Sequence, residues 1–234
     1  MAIRPFLAMT AAEIFAVSQF PSEIGWMACH FSPYGLGLSN LPRQLPPKSL
    51  LILDDITPIH GHDPLLIAHQ LAQRITALDC AALLLDFQRP EVEETAALVS
   101  VLAQGLPCPV AVSHLYADAG ACPVFLPPVP PSMPPEDYFA PWQGRELWLE
   151  LALDGEEIIL REDGAVSSTL PHVPVKETDF FDETLLCHYR CELEDDAARF
   201  TLYRTEADLE LLLAEAEKYG VTTAVGLYQE LSSP

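Results

Sequence analysis

The feature that most constrains the fold is the alternation of short apolar runs with amphipathic segments in the first half of the chain. Leu50 to Leu53, Ala81 to Leu85 and Val110 to Ser113 are apolar or nearly so, as strands covered on both faces must be. The segments between them, Asp63 to Leu78 and Glu91 to Gln104, carry apolar residues at helical spacing. This pattern predicts a parallel sheet covered by helices, which a closed barrel and a doubly wound sheet both satisfy.

A count of the candidate strands favours the barrel. Eight are predicted, near residues 3, 25, 50, 81, 110, 124, 147 and 221. A (β/α)8 barrel ordinarily takes about 250 residues, but this chain has 234, so at least two helices must be replaced by loops. The Gly- and Pro-containing stretch Tyr34 to Lys48 and the seven prolines between Cys122 and Pro135 place these replacements after strands two and six. The predicted fold class is α/β, a short, irregular (β/α)8 TIM-barrel-like fold with missing helices.

The alternation of strands and helices stops before the last helix. Glu156 to Arg161 and Leu185 to Tyr203 are typical of antiparallel strands, and an acidic turn lies within the second stretch. We therefore expect residues 1–234 to form a single barrel-like domain that contains a β-hairpin-rich antiparallel insert at 155–204.

The charge of the chain narrows the classes of partner. Acidic residues outnumber basic ones by 34 to 12, and the net charge is −22. This charge repels phosphate backbones and anionic membrane surfaces, so we expect no nucleic acid and no membrane as partner. Six scattered cysteines without paired spacing indicate a reducing, cytoplasmic location. No dinucleotide or nucleotide motif occurs, so no cofactor is expected; the oligomeric state stays open.

Polar residues follow the predicted strands at their carboxyl ends, where barrels of this kind place their functional groups. The candidate catalytic residues are Asp86, Glu230 and Asp54. The candidate ligand-binding residues are His30, Asp55, Gln88, Arg89, His114, Tyr116 and Tyr228. If the barrel closes, all of these converge on one mouth. Polar residues also collect at strand ends simply because chains meet solvent there.

A metal site is a weaker possibility. His60 and His62 lie two residues apart and could bind a metal together with Asp54 or Asp55. The same segment leads into a helix, and Asp63 is a suitable N-cap for it. The sequence leaves both interpretations open.

One stretch resembles a known family. Leu83-Leu-Leu-Asp86-Phe87-Gln88-Arg89-Pro90 is similar to the fourth strand of the family 18 glycoside hydrolases, the chitinase-like barrels, and Asp86, Phe87 and Pro90 match that pattern. Gly226 to Glu230 is similar to the aromatic-bearing last strand of the family. The resemblance implies that Gln88 occupies the position of the catalytic Glu, which in the family protonates the leaving oxygen. An amide cannot act as a general acid, so the resemblance implies a degenerate barrel.

Three functions are compatible with these residues. The first is a non-hydrolytic barrel that binds a carbohydrate or another small ligand, with aromatic residues such as Trp26, Tyr138, Trp142 and Trp148 available to stack on sugar rings. The second is a glycosidase-like hydrolase that uses another carboxylate pair, with or without a metal. The third is an interaction or scaffold protein whose contact surface is the proline-rich segment or the insert.

Overall fold

The computed structural model describes residues 3, 5–34, 37–59, 61–90, 93–193 and 196–232. In chain order the strands are β1 (Phe6–Met9), β2 (Ile24–Phe31), β3 (Leu38–Ser39), β4 (Leu50–Asp54), β5 (Ala82–Asp86), β6 (Val110–Ser113), β7 (Val124–Leu126), β8 (Leu147–Leu151), β9 (Gly155–Arg161), β10 (Gly164–Leu170), β11 (Phe180–Asp182), β12 (Cys187–Leu193), β13 (Ala197–Tyr203) and β14 (Val221–Leu227). The α-helices are α1 (Ala11–Ala16), α2 (Pro64–Leu78), α3 (Glu93–Gly105), α4 (Pro135–Phe139), α5 (Glu206–Ala216) and α6 (Tyr228–Leu231).

Eight parallel strands close into a barrel: β1, β2, β4 to β8, and β14. Closure is visible at Leu7, which pairs with Ile24 of β2 on one side and with Gly226 of β14 on the other. The predicted fold class is confirmed, and closure excludes the doubly wound sheet. β1 begins at Phe6 rather than near residue 3, directly after Pro5, which has no amide hydrogen to donate to a sheet.

The interior of the barrel is apolar, and side chains along each strand alternate between this interior and the outer face. Inward-facing side chains form one buried cluster of Ala8, Leu50, Ile52, Ala82, Leu84, Ala111, Phe125, Trp148 and Val225. The neighbours that alternate with them, such as Leu51, Leu83 and Leu149, belong to clusters beneath the outer helices. Since successive side chains on a strand point to opposite faces, this alternation fixes which residues at the strand ends reach the mouth.

Helix starts follow the sequence signals. Thr10 and Glu13 form the capping box of α1, and Thr205 and Asp208 form that of α5. Asp63 caps α2, where its side chain accepts a hydrogen bond from the amide of Leu65 at 2.9 Å.

The outer layer has loops in place of helices after the second and sixth barrel strands, as the sequence predicts, and also after β6. A loop containing β3 follows β2, and the proline-rich segment with the short α4 follows β7. The connection after β6 also lacks an α-helix and holds a 3-10 turn at His114–Ala119, which the sequence pattern does not predict. That connection is too short for a helix that returns along the barrel before Val124.

The segment between β8 and α5 forms a separate five-stranded antiparallel sheet, in the order β10-β9-β13-β12-β11. The antiparallel insert of the predicted fold class is confirmed; the division into one domain with an insert at 155–204 stays a prediction. All six cysteines are free. Among the helices within the described ranges, none combines the length and apolar character needed to span a bilayer.

Candidate functional site

Three of the predicted site residues lie side by side at the mouth of the barrel. His30 on β2 is in register with Asp54 on β4, and Asp54 is in register with Asp86 on β5. Asp54 and Asp86 follow the inward-facing Ile52 and Leu84 by two residues, so both carboxylates face the interior at its carboxyl end. All three side chains are half-buried. The structure therefore brings together two candidate catalytic acids and one candidate ligand-binding histidine.

Two buried polar groups lie at the floor of this mouth. Ser113 ends β6 two residues after the inward-facing Ala111, and Trp148 belongs to the inner cluster itself. They are 1% and 4% exposed, respectively. Within the described ranges, neither the Ser113 hydroxyl nor the Trp148 indole N–H has a hydrogen-bond partner. Because a buried polar group without a partner costs free energy, these two groups mark a place where a ligand or solvent would be bound.

Glu150 is a further inward-facing carboxylate, and it is absent from the residues that the sequence predicts for the site. It follows the inward-facing Trp148 by two residues on β8 and therefore faces the same interior. Burial, followed in order of effect by the charges of Asp86, Glu230 and Asp154, raises the pKa of Glu150 to about 7. The signal that could have revealed it is a lone carboxylate inside the otherwise apolar strand Leu147–Leu151.

The pKa values of the other two mouth acids are raised as well. Burial is the main cause for Asp86, and the amide side chain of Gln88, which donates a hydrogen bond to its carboxylate, works in the opposite direction. Burial also raises the pKa of Asp54, while the amide of Ile56 and the nearby His30 favour its ionised form. Gln88 therefore forms a hydrogen bond with the carboxylate of Asp86, two residues before it.

Three residues predicted to bind a ligand form hydrogen bonds with the protein backbone instead: Asp55, Arg89 and Tyr116. The two oxygens of Asp55 accept hydrogen bonds from the amides of Gln88 and Arg89 at 3.0 and 2.9 Å. The Arg89 guanidinium donates to the carbonyl oxygens of Asp55 and Ile56, both at 2.8 Å. The Tyr116 hydroxyl donates to the carbonyl of Arg89 at 3.1 Å. Since Asp55 and Tyr116 are 4% and 1% exposed, we assign these residues a positioning role: they hold the loop that follows β5.

The remaining predicted residues lie around the rim. His114 is half-buried at the start of the turn after β6, and Tyr228 begins α6, where it packs against the outer core. One carboxylate oxygen of Glu230 accepts a hydrogen bond from the amide of Leu153 at 3.4 Å, and its charge acts on Glu150. Glu230 thus lies close enough to Glu150 for its charge to act there, whereas Tyr228 contributes packing.

The metal hypothesis gains no support from the described residues. His60 lies outside them. His62 is buried, and its ring packs edge-on against Phe31 with centroids 5.2 Å apart. No group of three or more His, Cys, Asp or Glu side chains in the described ranges converges closely enough to hold a metal ion.

The described contacts of the two long loops hold them to the outer layer. In the loop after β2, the Trp26 indole donates to the carbonyl of Asn40 at 3.0 Å, and the amide of Leu38 donates to Gln70 of α2 at 3.2 Å. In the proline-rich segment, Val129 is buried in an outer core cluster. Tyr138 donates to the carbonyl of Pro127 at 2.6 Å; burial, with the charge of Glu150 as a second cause, raises its pKa.

Comparisons with known proteins show the fold. No protein-family model matches the chain, and no curated protein matches it by sequence. The spore cortex-lytic enzyme SleL of Bacillus cereus aligns with a TM-score of 0.54 and 10% identity over 91% of this chain and 65% of that chain. The protein ydhD of Bacillus subtilis, classed as a sporulation-specific glycosylase, aligns with a TM-score of 0.54 and 10% identity over 86% of this chain and 90% of that chain. The chain is therefore similar to both in fold, and it spans less than two thirds of SleL.

Proposed function

We propose that this protein binds a carbohydrate at the mouth of its barrel. The observation that carries the proposal is a set of inward-facing polar groups on five of the barrel strands: His30 on β2, Asp54 on β4, Asp86 on β5, Ser113 on β6, and Trp148 and Glu150 on β8. Carboxylates accept hydrogen bonds, and the indole of Trp148 donates one, so a ligand with many hydroxyl groups satisfies both kinds of group. The indole also offers an apolar face at the floor of the site.

The likeness in fold supports a carbohydrate more than another small ligand. One of the two similar structures is a spore cortex-lytic enzyme, and the other is classed as a glycosylase. The match of Asp86, Phe87 and Pro90 to the family 18 pattern points to the same strand of the barrel. Asp86 faces the barrel interior at the carboxyl end of β5, and the side chain of Gln88 donates a hydrogen bond to it, which supports the proposal.

Binding without hydrolysis follows from Gln88. The resemblance to the family 18 strand assigns Gln88 to the position of the family's proton donor, and an amide cannot supply a proton at any usable pH. The hydrogen bond from Gln88 to Asp86 instead fixes the carboxylate that would contact the sugar. With glutamine at position 88, we therefore expect the barrel to bind the sugar without hydrolysing it.

A hydrolase is the second candidate, and Glu150 favours it. A general acid works best when its pKa lies near the working pH, and burial together with three nearby carboxylates raises that of Glu150 to about 7. Asp86, whose charge acts on Glu150, would be the second carboxylate that glycoside hydrolysis requires. In this reading Glu150 protonates the leaving oxygen and Asp86 acts on the opposite face of the sugar ring.

The test is calorimetric titration with the tetramer of N-acetylglucosamine at pH 7. We expect saturable binding that Asp86→Asn and Asp54→Asn weaken by about tenfold each, since each loses a charge-assisted hydrogen bond. Asp118→Asn, at an exposed position after β6, is the matched control and should bind as the unaltered chain does. Absence of heat with this tetramer, with a glucose tetramer and with the glucosamine tetramer would refute carbohydrate binding.

The same samples separate the two candidates. The hydrolase reading predicts new reducing ends during incubation with the tetramer, and their loss in the variant Glu150→Gln. The binding reading predicts that the tetramer is recovered intact.

A further inference from the structure

The charges around the mouth are almost all of one sign. Glu150 is influenced by Asp86, Glu230 and Asp154, and Asp54 by Asp86 and Asp55. The guanidinium of Arg89 donates hydrogen bonds to two backbone carbonyls. The histidines at the rim, His30 and His114, are half-buried. The phenol of Tyr138, on which the charge of Glu150 acts, donates a hydrogen bond to the carbonyl of Pro127. A ligand that enters this mouth therefore meets a strongly negative potential.

A cation would relieve this repulsion, and the described residues indicate what kind. They provide no set of three converging ligands for a metal ion. The floor provides the Ser113 hydroxyl and the Trp148 indole N–H, both buried and without a partner in the described ranges. The indole can only donate, so it calls for an oxygen acceptor on the ligand. A matching ligand carries a positive charge beside hydroxyl oxygens.

We propose that the mouth selects sugars that bear a free, protonated amine over their N-acetylated counterparts, with the ammonium group between Asp86 and Glu150 and ring oxygens on Ser113 and Trp148. The proposal rests on the proposed function and specifies its ligand class. An acetamido group is neutral and leaves the carboxylates to repel one another. An ammonium group attracts each of them in a partly buried site, where charge interactions exceed their strength in water.

Proton release on ligand binding gives a second measurable signature besides affinity. At pH 6 the Glu150 carboxyl, whose pKa is about 7, is largely protonated in the free protein. A bound ammonium favours its ionised form, so binding of the amine should release a fraction of a proton, up to about one. Binding of the N-acetylated sugar should release none from this group.

The experiment is calorimetric titration at pH 6 and low salt with the glucosamine tetramer and with the N-acetylglucosamine tetramer, each in two buffers of different ionisation enthalpy. We expect the amine-bearing tetramer to bind about tenfold more tightly, as one added charge interaction of moderate strength would give, and to release protons. Glu150→Gln should reduce the preference to below about threefold and abolish the proton release. Asp86→Asn should reduce the preference too, which guards against misfolding of one variant.

The controls and outcomes separate this inference from the proposed function. Glu210→Gln, at an exposed position on α5, should keep both the preference and the proton release. Equal affinity for the two tetramers, or no proton release, would overturn the selectivity and leave carbohydrate binding in place. Failure of both tetramers to bind would overturn the proposed function together with the inference.

Discussion

At the scale of single residues, Glu150 dominates the pH dependence that we expect. Its pKa rises from an ordinary value of 4.5 to about 7 in the folded protein. Between these values the folded state holds more protons than the unfolded state, so the free energy of unfolding falls as pH rises. The penalty is complete above pH 7 and amounts to at most about 3 kcal/mol.

Glu150→Gln should remove that penalty. We expect the variant to exceed the unaltered chain in stability at pH 8, by up to about 3 kcal/mol, and to match it near pH 4.5. Urea unfolding at the two pH values measures the difference, with the exposed Glu210→Gln as control. A stability difference that is the same at both pH values would contradict the assigned environment of Glu150.

The sequence predicts some of these residues and not others, for physical reasons. His30, Asp54 and Asp86 are found because strand ends mark the mouth of any such barrel. Their inward direction follows from alternation. Asp55 shares the same strand end but faces the other way, toward the amides of Gln88 and Arg89. Sequence position alone cannot separate a carboxylate that faces a ligand from one that holds a loop.

At the scale of elements, Arg204 joins the proline-rich segment to the antiparallel sheet. The residue is 5% exposed. Its guanidinium donates to the carbonyls of Leu186 at 3.1 Å, Leu185 at 2.9 Å and Pro130 at 3.4 Å, and also to that of Val129. Prolines cannot donate hydrogen bonds, so a donor from elsewhere must satisfy the carbonyls of such a segment when they are buried.

Arg204→Lys tests this contact. A lysine keeps the charge but cannot reproduce the planar set of donors, so several buried carbonyls lose their partner. We expect a loss of about 3 kcal/mol in the free energy of unfolding. Arg161→Lys at the exposed end of β9 serves as control and should change stability by less than about 0.5 kcal/mol. A loss of similar size in both variants would show that the Arg204 contacts contribute little.

Elements are predicted best where local chemistry determines them. The side chains of Thr10, Asp63 and Thr205 accept hydrogen bonds from backbone amides at the starts of their helices, as residues of these types do at N-caps. The 3-10 turn that replaces a helix after β6 is not predicted, because the length of that connection has meaning only once the two flanking strands are known to be neighbours. The resemblance to the family 18 strand identifies the mouth but does not reveal Glu150, which lies three strands away from Asp86 around the barrel.

At the scale of the whole molecule, the unsettled question is whether barrel and insert unfold together. The five-stranded sheet is bound to the barrel side of the chain through Arg204 and through the hydrogen bond from Cys187 to the carbonyl of Pro131. We predict one cooperative unit. Native-state hydrogen exchange should then give the slowest amides of β4 and of β13 the same free energy of opening. A distinctly lower value for β13 would show that the sheet opens by itself.

The most direct test of the central claim, a sugar site at the barrel mouth, uses the three tryptophans as reporters. Trp148 lies at the floor of the mouth, while the Trp26 indole donates to Asn40 in the outer layer and Trp142 packs against an outer cluster. In a nitrogen–proton correlation spectrum, with the variant Trp148→Phe for assignment, the indole resonance of Trp148 should shift progressively as the glucosamine tetramer is added. The other two indole resonances should stay in place. A shift confined to Trp26 or Trp142, or no shift at concentrations that saturate binding in the calorimeter, would contradict the proposed site.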